Sequence, residues 1–123
     1  MKRIKALDDL YEELPKYNTP ASEAPVSYTF MKAYRTSVEI GRKRIDFDGN
    51  LWTRDIPQIV NDLRTYGIKE FSVSDQSTAL MEELAAFEAE GCKVTKMTTT
   101  KKEYRAWNSE NHEVIPAIKL LVK

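Results

Sequence analysis

The chain has 123 residues, of which 41% are hydrophobic and 31% are charged, as is typical of one soluble globular domain. Its 19 Lys and Arg residues balance 19 Asp and Glu residues, so bulk charge favours neither a nucleic-acid binder nor a membrane-surface protein. A single cysteine excludes an internal disulfide, and the lack of a long apolar run or apolar N-terminal core predicts a cytoplasmic protein.

Two amphipathic helices are predicted for residues 1–42, ahead of any strand. The first covers Ile4 to Leu14, where apolar residues form one stripe, and Pro15 ends it. The second covers Val26 to Arg42, where apolar residues recur at every fourth position and Gly41 supplies the stop. Neither helix carries a catalytic constellation, so this section is predicted to cover a surface or an edge of the domain.

Residues 43–123 are predicted to alternate between strands and helices. Three strands are separated by two helices, and a fourth strand closes the chain. In chain order, these are a strand at Arg44–Phe47, a helix capped by Thr53 or Asp55, a strand at Ile68–Val73, a helix capped by Ser74, Asp75 or Ser77, and strands at Cys92–Met97 and Glu113–Lys123. Short connections of this kind are typical of parallel βαβ units with right-handed crossovers.

The order of elements predicts a single α/β domain over residues 1–123. Its mixed sheet has about four strands in the order β-α-β-α-β-β, and two additional helices occupy the N-terminal section. The last strand should return antiparallel to the third, after a polar turn at residues 108–111. Pro116 cannot donate a ladder hydrogen bond, so this strand, or the part of it with Pro116, is predicted to lie at an edge.

An acidic tetrapeptide, Asp46-Phe47-Asp48-Gly49, ends the first predicted strand. Glycine and asparagine tolerate positive φ, so the following Gly-Asn pair favours a plain turn. The same residues resemble the first motif of haloacid-dehalogenase-type phosphatases, in which a strand ends in Asp-x-Asp-Gly-Thr. That resemblance implies a Mg²⁺-dependent phosphohydrolase. It implies Asp46 as nucleophile, Asp48 as general acid, Ser74 at the phosphoryl group, and Mg²⁺ held by Asp46, Asp48 and Asp75.

The sequence departs from that phosphatase pattern in several places. Asn50 stands where the family has threonine, and the preceding strand has only Ile45 and Phe47 as apolar residues after a basic run. No acidic pair follows Thr98 to serve as the last motif. We therefore prefer the turn, predict no cofactor and no metal site, and keep the phosphohydrolase as the alternative.

A second candidate site lies in the basic segment from Lys93 to Trp107. Four lysines and one arginine interleave there with aromatic residues, a pattern that suits contacts with phosphates and stacking on single-stranded bases. The candidate residues are Lys101, Lys102, Tyr104 and Arg105. Lysines also protect sheet edges from unwanted pairing, and we prefer this interpretation over nucleic-acid binding.

A broader resemblance covers Arg54 to Lys119. The stretches D-I-P-Q-I-V, Y-G-I-K-E-F-S-V-S, L-A-A-F-E-A-E-G-C-K-V and V-I-P-A-I-K resemble a group of small uncharacterised proteins of bacteria and their mobile elements. That group has no assigned activity, so the resemblance implies an accessory role and no catalytic residues.

The leading functional prediction is a non-catalytic binding protein that acts through a protein partner or as a homo-oligomer, away from membranes. Two features favour it. The final apolar strand offers edge pairing, and the first amphipathic helix offers a binding face.

Overall fold

The computed structural model describes residues 1–13, 25–49, 51–105 and 111–123. Within these ranges it has four α-helices, one 3-10 helix and four strands. In chain order they are α1 (Lys5–Glu13), α2 (Tyr28–Glu39), β1 (Ile45–Phe47), the 3-10 helix (Thr53–Asp55), α3 (Ile56–Thr65), β2 (Glu70–Val73), α4 (Leu80–Ala89), β3 (Cys92–Arg105) and β4 (His112–Val122). The predicted α/β class, the order of elements and the two N-terminal helices are confirmed.

The four strands form one mixed sheet in the order β1-β2-β4-β3. β1 and β2 are parallel, and β4 is antiparallel to both of its neighbours. The final strand is therefore central, and the prediction of an edge holds only for its part with Pro116. Pro116 lies beyond the end of β2 and pairs with Thr99 of β3 alone. Its missing N–H therefore leaves no ladder bond to β2 unmade.

The core lies on the sheet face that carries Phe47 and Phe71. These two rings meet edge to face with centroids 5.7 Å apart, and Phe87 of α4 packs 4.9 Å from Phe71. Successive residues of a strand point to opposite faces. Asp46 and Ser72, which are aligned across β1 and β2, therefore share the other face.

The ends of the crossover helices follow the predictions only in part. Gly67 has φ of +69° just after α3, the left-handed conformation expected of a residue that ends a helix. α4 begins later than predicted, at Leu80, and its N-cap residue is Ala79, whose methyl side chain cannot accept a hydrogen bond. The carboxylate of Asp75 is occupied in the preceding turn, where it accepts from the backbone N–H and the hydroxyl of Ser77. The predicted side-chain cap of this helix is therefore wrong.

β3 is more than twice as long as predicted, because it continues past Met97 as a ribbon paired with the first half of β4. The ribbon lies against the segment between α2 and β1. Arg42 Nε donates to the Lys101 carbonyl over 2.8 Å, and Arg44 Nη1 donates to the Thr99 carbonyl over 3.2 Å. These arginine side chains occupy two carbonyls of the edge strand, so this stretch of β3 is not free to pair.

Candidate functional site

Asp46, the middle residue of β1, lies in a buried polar group. The residue is 1% exposed, and its two carboxylate oxygens accept from Ser72 Oγ over 2.5 Å and from Ser74 Oγ over 2.6 Å. Its backbone N–H donates to Ser37 Oγ of α2 over 3.2 Å. Burial raises the pKa of Asp46, while the two serine hydroxyls and the positive charge of Arg42 oppose that rise. Asp46 thus joins α2, β1 and the end of β2.

Arg42 is the cation of this buried group. Besides the Lys101 carbonyl, its guanidinium reaches Ser37 Oγ at 3.4 Å and the Asp48 carboxylate at 3.2 Å. One side chain therefore holds α2, the turn after β1 and the ribbon together. The planar guanidinium holds its donors at fixed angles and can reach all three partners at once. A lysine ammonium is a compact charge and could not replace these contacts.

The burial of Asp46 bears on the phosphohydrolase alternative. Both of its oxygens are engaged, and the Ser74 hydroxyl that would bind a phosphoryl group is buried and donates to Asp46 instead. Asp48 forms an ion pair with Arg42. Within the part of the chain that the structure describes, no group of three or more His, Cys, Asp or Glu could hold a metal ion, so Asp46, Asp48 and Asp75 do not form one. The geometry favours a structural role for the acidic tetrapeptide.

The phosphohydrolase alternative remains a prediction, and one assay decides it. We expect no hydrolysis of 4-nitrophenyl phosphate, with or without Mg²⁺, because no phosphorus atom can approach a carboxylate that is buried between two serines. Asp46→Asn should then change the free energy of unfolding but no turnover, and Asp9→Asn at an exposed position is the matched control. A Mg²⁺-dependent turnover that Asp46→Asn removes and Asp9→Asn retains would establish the enzyme.

An open cleft of about 420 Å³ lies next to the buried group, and Arg42 and Asp48 belong to its lining. This volume is within the usual range for sites that bind small ligands or single side chains. Two aromatic side chains line the cleft and remain largely in solvent, Tyr28 at 73% and Trp52 at 63% exposure. The charged residues of the lining are Lys32, Arg42, Arg54, Asp48, Asp55 and Glu103. Because three of these residues are basic and three are acidic, the lining does not favour a ligand whose charges all have one sign.

Sequence reasoning did not predict this cleft. Its residues come mainly from α2, the turn after β1 and the 3-10 helix, with Glu103 from β3, and these elements are separated along the chain. One signal was present at the sequence level. Trp52 is a large aromatic residue within a polar loop, and such a residue needs either a core or a partner.

The residues of the nucleic-acid candidate lie along β3. Lys101 Nζ donates to the Ile40 carbonyl over 3.3 Å, and Lys102 Nζ lies 3.9 Å from Glu113. Tyr104 is exposed, Arg105 ends the strand, and Trp107 lies outside the described residues. Both lysine side chains thus contact other residues of the same chain. Nucleic-acid binding remains a prediction.

Comparison with known proteins gives one match. Residues 29–122 match the family described as Domain of unknown function (DUF7698). The match runs from α2 to β4 and leaves α1 outside it. Neither the curated proteins nor the solved structures give a match. None of the helices in the described ranges has the length and apolar character needed to cross a bilayer.

Proposed function

The chain belongs to the DUF7698 family, and we propose that it is a non-catalytic binding protein whose cleft takes a segment of a protein partner. The observation that carries this proposal is the pair of exposed aromatic residues, Tyr28 and Trp52, in the lining of one cleft. Tryptophan, tyrosine and arginine are the residues that most often dominate the energy of protein interfaces. Arg54 lies over the Trp52 ring, with its guanidinium carbon 5.4 Å from the centroid.

The two surfaces that the sequence offered for binding are used inside the fold. β4 lies between β2 and β3, so the final strand does not offer an edge over most of its length. Leu7 on the apolar side of α1 is buried, and Tyr34 Oη of α2 donates to the Ile4 carbonyl just before that helix. The cleft replaces both surfaces as the proposed contact.

The proposal also includes a prediction about the biological context in which the protein acts. An accessory role in bacteria or their mobile elements follows from the resemblance over Arg54 to Lys119. A second copy of the chain is the alternative occupant of the cleft, as a homo-oligomer would require. Both are decided by identifying what the cleft contacts in the native cells.

Site-specific crosslinking tests the proposed contact. A photoreactive amino acid at Thr29, in the cleft lining, should give an adduct with one main partner in the native cells. We expect Trp52→Ala to remove most of that adduct, because truncation of an aromatic anchor at an interface costs about 2 kcal/mol or more. Met81→Ala is the matched control, since Met81 is also exposed but does not line the cleft.

Three outcomes are informative. A single adduct that depends on Trp52 and not on Met81 supports the proposal. An adduct with the chain itself assigns the cleft to self-association. No adduct at Thr29, or an adduct that both variants retain, contradicts the proposed contact.

A further inference from the structure

Two charged residues of the cleft have no partner in the described part of the chain. Lys32 lies on α2 and Glu103 on β3, and neither side chain takes part in a hydrogen bond or ion pair with another described residue. They are of opposite sign and come from different elements. A cleft with one free cation and one free anion offers a place for a ligand that carries both charges.

The remaining charges of the cleft neutralise one another. Arg42 and Asp48 form a pair at 3.2 Å, and Arg54 lies 3.8 Å from the Asp55 carboxylate. A ligand would lose the hydrogen bonds of buried Arg42 if it used the Arg42–Asp48 pair, and the exposed Arg54–Asp55 pair presents no net charge, whereas the Lys32 and Glu103 side chains have no such partner. Selectivity for charge should therefore depend on these two residues.

The aromatic residues add an apolar requirement. Tyr28 is one helical turn before Lys32, so both side chains lie on the same face of α2. Trp52 enters the cleft from the loop after β1. An apolar or aromatic side chain of the ligand, placed against these rings, would remove their exposed surface from water.

From these contacts, and on the basis of the proposed function, we infer that the cleft binds a short peptide segment with an acidic, an apolar and a basic side chain. The acidic group pairs with Lys32, the apolar group packs against Tyr28 and Trp52, and the basic group pairs with Glu103. The occupant is a linear segment of a protein partner, because three side chains of different character occur together in a polypeptide.

Selection from a random peptide library displayed on phage tests this inference. The wild-type protein should enrich peptides with an acidic, an apolar and a basic residue close together. Lys32→Glu and Glu103→Lys should each weaken the best peptide roughly fivefold or more, because each reversal turns an attraction into a repulsion. The double variant should bind the charge-reversed peptide better than the original one. Circular dichroism checks that the variants fold.

The outcomes separate this inference from the proposed function. Enriched peptides that need Trp52 but lack charges, or that ignore both reversals, would overturn the inference and leave the proposed function standing. If the cleft enriches no peptide, both fall. Loss of a dimer in Trp52→Ala, measured by light scattering, would also overturn the inference by assigning the cleft to a second copy.

Discussion

Replacement of Arg42 by methionine is expected to lower the free energy of unfolding by roughly 2–4 kcal/mol, because hydrogen bonds from a buried charged group contribute about 1.5–3 kcal/mol each and their loss leaves acceptors unpaired. The side chain of Arg42 is 1% exposed, and its loss leaves the Lys101 carbonyl and the Asp48 carboxylate without this donor. Asp46 also loses the nearby positive charge that stabilises its ionised form. Urea unfolding followed by circular dichroism measures the change.

The chain provides a matched control for Arg42. Arg3 forms an ion pair with Asp8 at the same 3.2 Å, but its side chain is 57% exposed. Arg3→Met should therefore cost less than about 1 kcal/mol, since exposed ion pairs contribute little. If the two substitutions cost the same, burial of the Arg42 guanidinium is not what stabilises the fold, and the proposed role of Arg42 in holding the ribbon fails.

Amide hydrogen exchange shows which part of the fold is destabilised when Arg42 is replaced. Arg42 ties the ribbon to α2 and to the turn after β1, so its loss should increase exchange first at the amides of residues 98–105 and 112–117. The β1–β2 pair lies in the core and should exchange more slowly. Arg42→Lys should show a similar pattern, because a lysine keeps the charge but cannot reproduce the guanidinium geometry.

The parts of the fold that the sequence predicts are those with local signals. Gly67 ends α3 where the pattern of apolar residues stops, and Phe71 and Val73 alternate with polar residues along a short strand. These signals act within a few residues, and no distant contact overrides them.

The parts that it does not predict depend on distant contacts. The length of β3 depends on β4, because its polar residues, such as Thr100 opposite Ile115, form a strand only when the partner strand is present. Asp46 shows the same effect at the candidate site. Its position in a short strand that ends in an acidic turn suits an active-site carboxylate, but Ser72 and Ser74 of the neighbouring chain segment make it a buried acceptor.

A second buried acid is predicted to make folding depend on pH. Glu83 in the first turn of α4 is fully buried, and among the described residues neither of its carboxylate oxygens has a hydrogen-bond donor. Burial and the adjacent Asp75 carboxylate raise the pKa of Glu83 to about 8. Protonated Glu83 can donate to Asp75, and this bond lowers the pKa of Asp75. The two acids therefore share one proton in the folded protein at neutral pH.

The sign of the pH effect follows from the raised pKa of Glu83. Between its unfolded value of 4.5 and its folded value of about 8, the folded protein holds a proton that the unfolded chain has released. The free energy of unfolding must then fall as pH rises through this range. Asp75 acts in the opposite direction, because its pKa is lowered, but only at pH values below about 4.

Glu83→Gln should remove most of this pH dependence, because the amide keeps the shape of the acid and donates to Asp75 without carrying a proton that can be lost. Near pH 8.5 we expect the variant to melt roughly 10 °C above the wild type, and near pH 5 the difference should be small. Glu82→Gln is the control, since Glu82 is exposed on the same turn of α4. Parallel melting curves for the wild type and Glu83→Gln across this range would show that Glu83 ionises without cost. Its side chain would then reach solvent, contrary to the packing of α4 against β3.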